Sequence, residues 1–183
     1  MSLTLYHRHV LEDYLAGFEA KANPNHLAVI RRPAIFSVMA HRGSEAAVGD
    51  AVKSIDGVHV RDCAPGEWLV ASTTTGAAVI ENLLGEVAGA SIVDQSDGRV
   101  LLQISGPNVR KILAKCVAVD LHPDAFPVGA SANMLCCHVA ANLARTGVDV
   151  FEIIVPRSFC GSVFEEMMEM GRAFALTTAL ADK

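Results

Sequence analysis

Charge, aromatic side chains and ligand-binding signatures are all thin in this chain. Asp, Glu, Lys and Arg make up 19% of its 183 residues, and Phe, Tyr and Trp only 5%. The charges lean acidic, to a formal net charge of −5, and Arg31-Arg32 is the only basic doublet that precedes a proline. No nucleic-acid partner is expected, because phosphate backbones are met by basic patches. There is no Cys-x-x-Cys among the five cysteines, no Gly-x-Gly-x-x-Gly, and no pair of histidines at the i, i+4 spacing that holds zinc from one helix. The opening Met-Ser-Leu-Thr-Leu-Tyr-His-Arg-His lacks the basic start and apolar run of a secretory signal. The longest uncharged window, from Ala125 to Leu143 and one residue beyond, is broken by Pro127, Gly129, Asn133, His138 and Asn142, so no membrane span is expected. The cysteines then read as reduced thiols of a cytoplasmic protein, mostly buried.

What the chain has in excess is apolar side chains, 51% of its residues. With so little charge to cover them, part of this apolar surface is expected to meet a partner. A stripe of Val10, Leu11, Tyr14, Leu15 and Phe18 predicts an amphipathic helix that Asn23-Pro24-Asn25 ends. It packs on its own domain or docks on another subunit.

From residue 34 on, strand and helix patterns alternate. Ala34–Ala40, Val58–Arg61, Glu67–Ser72 and Ser91–Asp94 read as strands. Helices follow Ser44 and span 77–87, with Val79, Ile80, Leu83, Leu84 and Val87 on one face. This strand-helix-strand-strand-helix-strand order is the ferredoxin-like split βαβ arrangement. The second half begins the order again. Val100–Ile104 is a β-branched and aliphatic strand, Ser105-Gly106 a tight turn, and Pro107 the first turn of a helix carrying Val109, Ile112 and Leu113. Strands are expected over 133–139, 141–145 and 150–155. A final helix capped by Ser158 would turn Phe159, Val163, Phe164, Met167 and Met168 inward. The expected fold is α+β with two ferredoxin-like halves. The expected divisions are an N-terminal helical arm over 1–33, a first half over 34–98 and a second over 99–183.

No complete catalytic, cofactor or metal constellation emerges. His7 and His9 are two apart and expected in solvent, and His26, His41, His59, His122 and His138 fall on separate elements. Cys136-Cys137 lies on a strand, so one thiol should point inward and one outward. Cys160 follows a helix start, which can lower a thiol pKa. Asp94 and Asp97 flank a turn, Glu165, Glu166 and Glu169 line the solvent side of the last helix, and Met167, Met168 and Met170 read as core filler. Ser72-Thr73-Thr74-Thr75-Gly76 offers backbone N–H groups that could receive a phosphate, but it lacks the lysine and spacing of a P-loop and reads as a strand-to-helix cap.

Three ordered motifs carry a resemblance: Pro65-Gly66-Glu67-Trp68-Leu69-Val70, Val93-Asp94-Gln95-Ser96-Asp97-Gly98 and Ile104-Ser105-Gly106-Pro107-Asn108-Val109-Arg110. Val119-Asp120-Leu121-His122-Pro123 and Phe151-Glu152-Ile153-Ile154-Val155-Pro156-Arg157-Ser158-Phe159 strengthen it. Together they resemble the gamma subunit of heterotetrameric sarcosine oxidase, and more weakly the folate-binding domain of aminomethyltransferase, the T-protein of glycine cleavage. The chain departs from the gamma pattern at Lys115-Cys116, which lacks an intervening glycine, and at Ser131-Ala132-Asn133. The resemblance implies a non-catalytic subunit of a complex that demethylates sarcosine oxidatively to glycine. Its partners would be alpha, beta and delta subunits, with FAD, FMN, NAD and tetrahydrofolate on those neighbours and no cofactor here. Where the aminomethyltransferase has an acidic residue that grips the pterin, this chain has Val148, which implies loss of the folate handle. Leu11, Tyr14, Leu15, Phe18, Trp68 and Phe151 are the expected subunit contacts. A subunit of a related N-methyl amino acid dehydrogenase, a stand-alone folate-binding protein and a homo-oligomeric interaction module remain alternatives.

Overall fold

Most strands are buried on both faces, which is why they read as unbroken apolar runs. A computed structural model describes residues 8–18 and 23–181. In chain order the elements are β1 (His26–Ile30), β2 (Ala34–Ala40), α1 (Glu45–Lys53), β3 (His59–Ala64), β4 (Glu67–Ser72), α2 (Ala77–Gly85) and β5 (Ala90–Asp94). There follow β6 (Arg99–Ser105), α3 (Val109–Leu113), β7 (Ser131–Cys136), β8 (Val139–Gly147), β9 (Val150–Pro156), α4 (Cys160–Gly171) and β10 (Thr177–Ala181). β2 to β5 form an antiparallel sheet of order β3-β4-β2-β5, which is the split βαβ topology expected for the first half. The other sheet runs β10-β1-β6-β9-β8-β7. Its β6, β8, β9 and β10 follow the same plan, with β1 inserted between β10 and β6 and β7 added as a hairpin at the far edge.

The two sheets lie face to face with helices outside both. Val48 and Val52 of α1 and Ile80 and Leu84 of α2 cover Phe36, Val38, Trp68 and Val70. Val109, Ile112 and Leu113 of α3 and Val163, Phe164 and Met167 of α4 cover Val100, Leu102, Ile104, Phe151 and Ile153. Between the sheets, Ile30, Ile35, Leu69, Ala71, Leu101 and Ile154 form a third core. Alternation along β4 and β9 assigns each residue to one layer or the other, so 68–72 and 151–155 are buried throughout.

A salt bridge sits inside that middle layer. Arg61 of β3 is fully buried and its Nη2 donates to Glu152 Oε2 of β9. Gln103 of β6 donates to the other carboxylate oxygen at 3.2 Å. Desolvation pulls the Arg61 pKa below its ordinary value, against the attraction of Glu152.

Three expectations change. Residues 26–30, assigned to a helical arm, form a strand inside the six-stranded sheet, parallel to β10 and antiparallel to β6. Gly106 makes room for the approach to β1: its φ is +129°, and a Cβ there would lie 2.0 Å from the Pro24 carbonyl oxygen. Residues 10–17 make successive turns rather than a regular helix. Leu15 N–H reaches the Leu11 carbonyl, but Tyr14 and Phe18 bond three residues back. Finally, 157–159 form a 3₁₀ turn without a Ser158 side-chain cap, and α4 starts at Cys160. That phase turns Cys160 inward and leaves Phe159 55% exposed.

Removing one partner of a buried pair leaves the other charge desolvated and unpaired. Glu152→Ala is therefore expected to cost about 3–5 kcal/mol, whereas the double change Arg61→Met with Glu152→Leu recovers most of that loss. Urea denaturation of the three proteins checks both.

Candidate functional site

The sheets splay at one end and open a cavity of about 630 Å³, lined by Ser37, Met39, Cys63, Trp68, Asn133 and Asn142 among others. β3 and β7 close its polar side. Asn133 Nδ2 donates to the Cys63 carbonyl and Asn142 Nδ2 to Asn133 Oδ1, each at 2.9 Å. Asn142 Oδ1 is buried without a partner. Trp68 Nε1 donates to Asp62 Oδ1 at 2.9 Å. Burial pushes the Cys63 thiol up, so it is no ready nucleophile. These amides can orient a polar group, but they supply no general base.

The remaining thiols are mostly drawn together. Cys136 ends β7, and Cys137 and His138 follow with φ of +48° and +65°, the left-handed pair of a two-residue hairpin turn. This turn defeats the inside–outside alternation expected of the pair: Cys136 and Cys137 are both buried, with sulfurs 4.0 Å apart. Cys137 N–H also reaches the carbonyl of Cys116 at 2.8 Å. Contact with the Cys116 and Cys136 thiols holds the Cys137 pKa below its ordinary value, while their own rise. Cys160, expected to be acidified at a helix start, is instead raised, because desolvation outweighs Arg157 and the backbone. His9, expected in solvent, is buried and accepts the Leu11 N–H at 3.1 Å. His7 lies outside the described residues. Among the described residues no group of His, Cys, Asp and Glu is arranged to hold a metal ion, and no helix is long and apolar enough to cross a membrane.

The expected contact residues divide. Leu11, Trp68 and Phe151 are buried in the chain's own cores and present no surface. An apolar stripe looks the same in sequence whichever body it faces. Leu15 is half-buried. Tyr14 and Phe18 are 38% and 43% exposed while touching Phe164 edge-on. Val79 and Leu83 on α2, with Leu135 and Phe159, are exposed apolar groups that were not singled out as contacts. Ser72 Oγ accepts the Thr74 and Thr75 N–H groups, which closes the turn into α2.

Residues 32–170 match the family model described as "Sarcosine oxidase, gamma subunit family". A sarcosine oxidase subunit gamma from Corynebacterium sp. (strain U-96) is 31% identical over 119 residues, 64% of this chain and 58% of that protein. An aminomethyltransferase of Listeria monocytogenes serotype 4a is 35% identical over 98 residues, 52% of this chain and 26% of that protein. The chain thus spans less than two thirds of the length of the curated relatives it matches. By fold, it matches a chain of the heterotetrameric sarcosine oxidase from Corynebacterium sp. U-96 with a TM-score of 0.76 at 22% identity, over 96% of this chain and 99% of that one. Glycine cleavage system aminomethyltransferase T from Bartonella henselae follows at TM-score 0.59 and 16% identity, over 93% of this chain and 50% of that one.

Proposed function

The chain belongs to the sarcosine oxidase gamma subunit family, and on that premise we propose that it is a non-catalytic subunit bracing a cytoplasmic heterotetrameric sarcosine oxidase. The family match over residues 32–170 carries this reading. In the proposed assembly, alpha, beta and delta subunits complete the complex and hold FAD, FMN, NAD and tetrahydrofolate. Sarcosine is oxidatively demethylated to glycine there, on other chains.

The local chemistry supports a structural part. At the turn where the aminomethyltransferase resemblance places a pterin-gripping acid, Val148 is 72% exposed. Its carbonyl accepts from Arg110 and Arg145, so the backbone is already engaged. The neighbouring carboxylate, Asp149, is already paired with Arg110 at 2.7 Å, so a pterin edge would have to compete for it, and unmatched polar groups cost roughly 1–3 kcal/mol each when buried. Tyr14, Leu15 and Phe18 remain as proposed contacts, since their exposed parts extend the six-stranded-sheet core toward a neighbour. The first half, over 34–98, and the second, over 99–183 with β1 inserted in its sheet, are proposed as units of assembly rather than of chemistry.

Two measurements bear on this. The purified full chain should not bind tetrahydrofolate stoichiometrically in a calorimetric titration; stoichiometric binding would favour a folate-binding protein instead. Phe18→Glu, with folding verified by circular dichroism, should lower retention by tagged partner subunits about fivefold or more, as for an apolar anchor. Unchanged retention would remove Phe18 from the interface.

A further inference from the structure

Arginine side chains from distant parts of the sequence converge on a second pocket, of about 520 Å³, which shares Arg99 with the cavity beside Asn142. Arg31 and Arg32 follow β1, Arg99 opens β6 and Arg157 follows β9. Their placement is fixed by the ladder: Arg99 pairs with Pro156, and the Arg157 N–H donates to the Gly98 carbonyl at 2.9 Å. The sheet end thereby brings both residues to the lining of the same pocket. Arg31 is engaged by Glu12 at 3.0 Å. The side chains of Arg32, Arg99 and Arg157 make no hydrogen bond or ion pair with a described residue, and Arg99 Nε is wholly buried without an acceptor.

Two aspartates share the pocket and do not neutralise it. Asp94 Oδ1 accepts the Ser96 N–H at 2.8 Å, in a local turn, and neither Asp94 nor Asp97 comes within 4.0 Å of an arginine nitrogen. The pocket also meets the start of α2 at Gly76 and Ala77, which carries no side-chain cap. A helix start directs N–H groups and the positive end of its dipole outward. In a chain of net charge −5, this is a local concentration of unneutralised cations. Buried donors without acceptors cost free energy that an oxyanion would recover. Guanidinium forks suit the two oxygens of a carboxylate or phosphate in a way that lysine does not.

We propose that this pocket is an oxyanion-binding site, in which Arg99, Arg157 and Arg32 hold the phosphate or carboxylate group of a small molecule against the start of α2. The ligand is anionic and small enough for a pocket of this volume. Arg99 lies deepest and orients the group, while Arg32, exposed at the rim, admits it. The site is independent of the bracing role, since it needs no neighbour to be complete.

Calorimetric titration of the full chain with inorganic pyrophosphate, and separately with citrate, tests this at constant ionic strength. At least one probe should bind saturably, and Arg99→Gln and Arg157→Gln should each weaken it about tenfold or more, by loss of a charge-assisted contact. Arg172→Gln, in the turn that follows α4, should leave binding unchanged. Response to pyrophosphate alone assigns a phosphate ligand, and response to citrate alone a carboxylate. If Arg99→Gln does not fold, Arg157→Gln decides. The proposal fails if neither probe saturates, if the pocket variants bind as tightly as the wild type, or if Arg172→Gln weakens binding equally.

Discussion

An ion pair inside an apolar layer sets the relation between the two sheets. Ile30, Ile35, Leu69, Ala71, Leu101 and Ile154 bring the sheets together, but apolar burial has no direction and would accept a slide of one sheet over the other. Arg61 and Glu152 do not accept it. A displacement that parts them leaves two desolvated charges, and each unpaired ion costs several kcal/mol. The pair joins β3, at an edge of one sheet, to β9, in the interior of the other. Polar contacts continue along the same edge, where Ser131 Oγ accepts the Asp62 N–H at 3.0 Å and Asn133 holds the Cys63 carbonyl. The seam is thus greasy at its centre and hydrogen-bonded at its margin, and the margin fixes the register. Both the cavity beside Asn142 and the arginine pocket open off this seam, so each inherits its shape from that lock.

A second constraint joins the chain's first and last strands. β1 is wedged between β10 and β6, and Arg31 N–H reaches the Ala181 carbonyl at 3.1 Å. Asn25 stitches the entry: its Nδ2 donates to the Phe174 carbonyl, its Oδ1 accepts the Asn108 N–H, and its carbonyl accepts the Thr177 N–H. Leu11 fills the core beneath. Residues 8–18 and 23–30 are therefore woven into the body, and the large apolar surface they offer a neighbour is at the outer edges of Tyr14 and Phe18.

Local pattern disclosed the elements whose burial follows from their own residues. β2, β4, β6 and β9 are β-branched and aliphatic runs, α1, α2 and α4 show the helical period, and the first half's element order implied its topology. β1 and β10 escaped because His-Leu-Ala-Val-Ile and Thr-Thr-Ala-Leu-Ala are short and alanine-diluted, and because their parallel pairing spans about 150 residues, as in His26 with Thr177. Arg61 and Glu152 were hidden for a different reason. Charged positions in an alternating strand are assigned to solvent by default, and only the second sheet makes theirs an interior face. Cys137 departs from alternation because it adopts a left-handed turn without glycine or asparagine to signal it. The arginine cluster draws on residues 31 to 157, so no window of sequence contains it.

The apolar excess itself has a more local origin than a partner. A domain with one sheet normally leaves a face to water. Here each sheet packs helices on one face and the other sheet on most of its second face, and three separate clusters absorb most of the large aliphatic and aromatic side chains. Such a fold demands a high apolar fraction without exposing it. What remains outside is divided: Val79 and Leu83 form a ridge on α2, Tyr14 and Phe18 an edge beside α4, Met39, Val93 and Leu135 stand on strands, and Val128, Val148 and Phe159 on turns. Singly exposed apolar groups are ordinary on any surface, so weight falls on the two that are grouped. With most of the sheet faces closed, a neighbouring subunit meets chiefly helices, turns, strand edges and the open end around Met39. The α2 ridge and the Tyr14–Phe18 edge are the places where those elements still carry clustered apolar area.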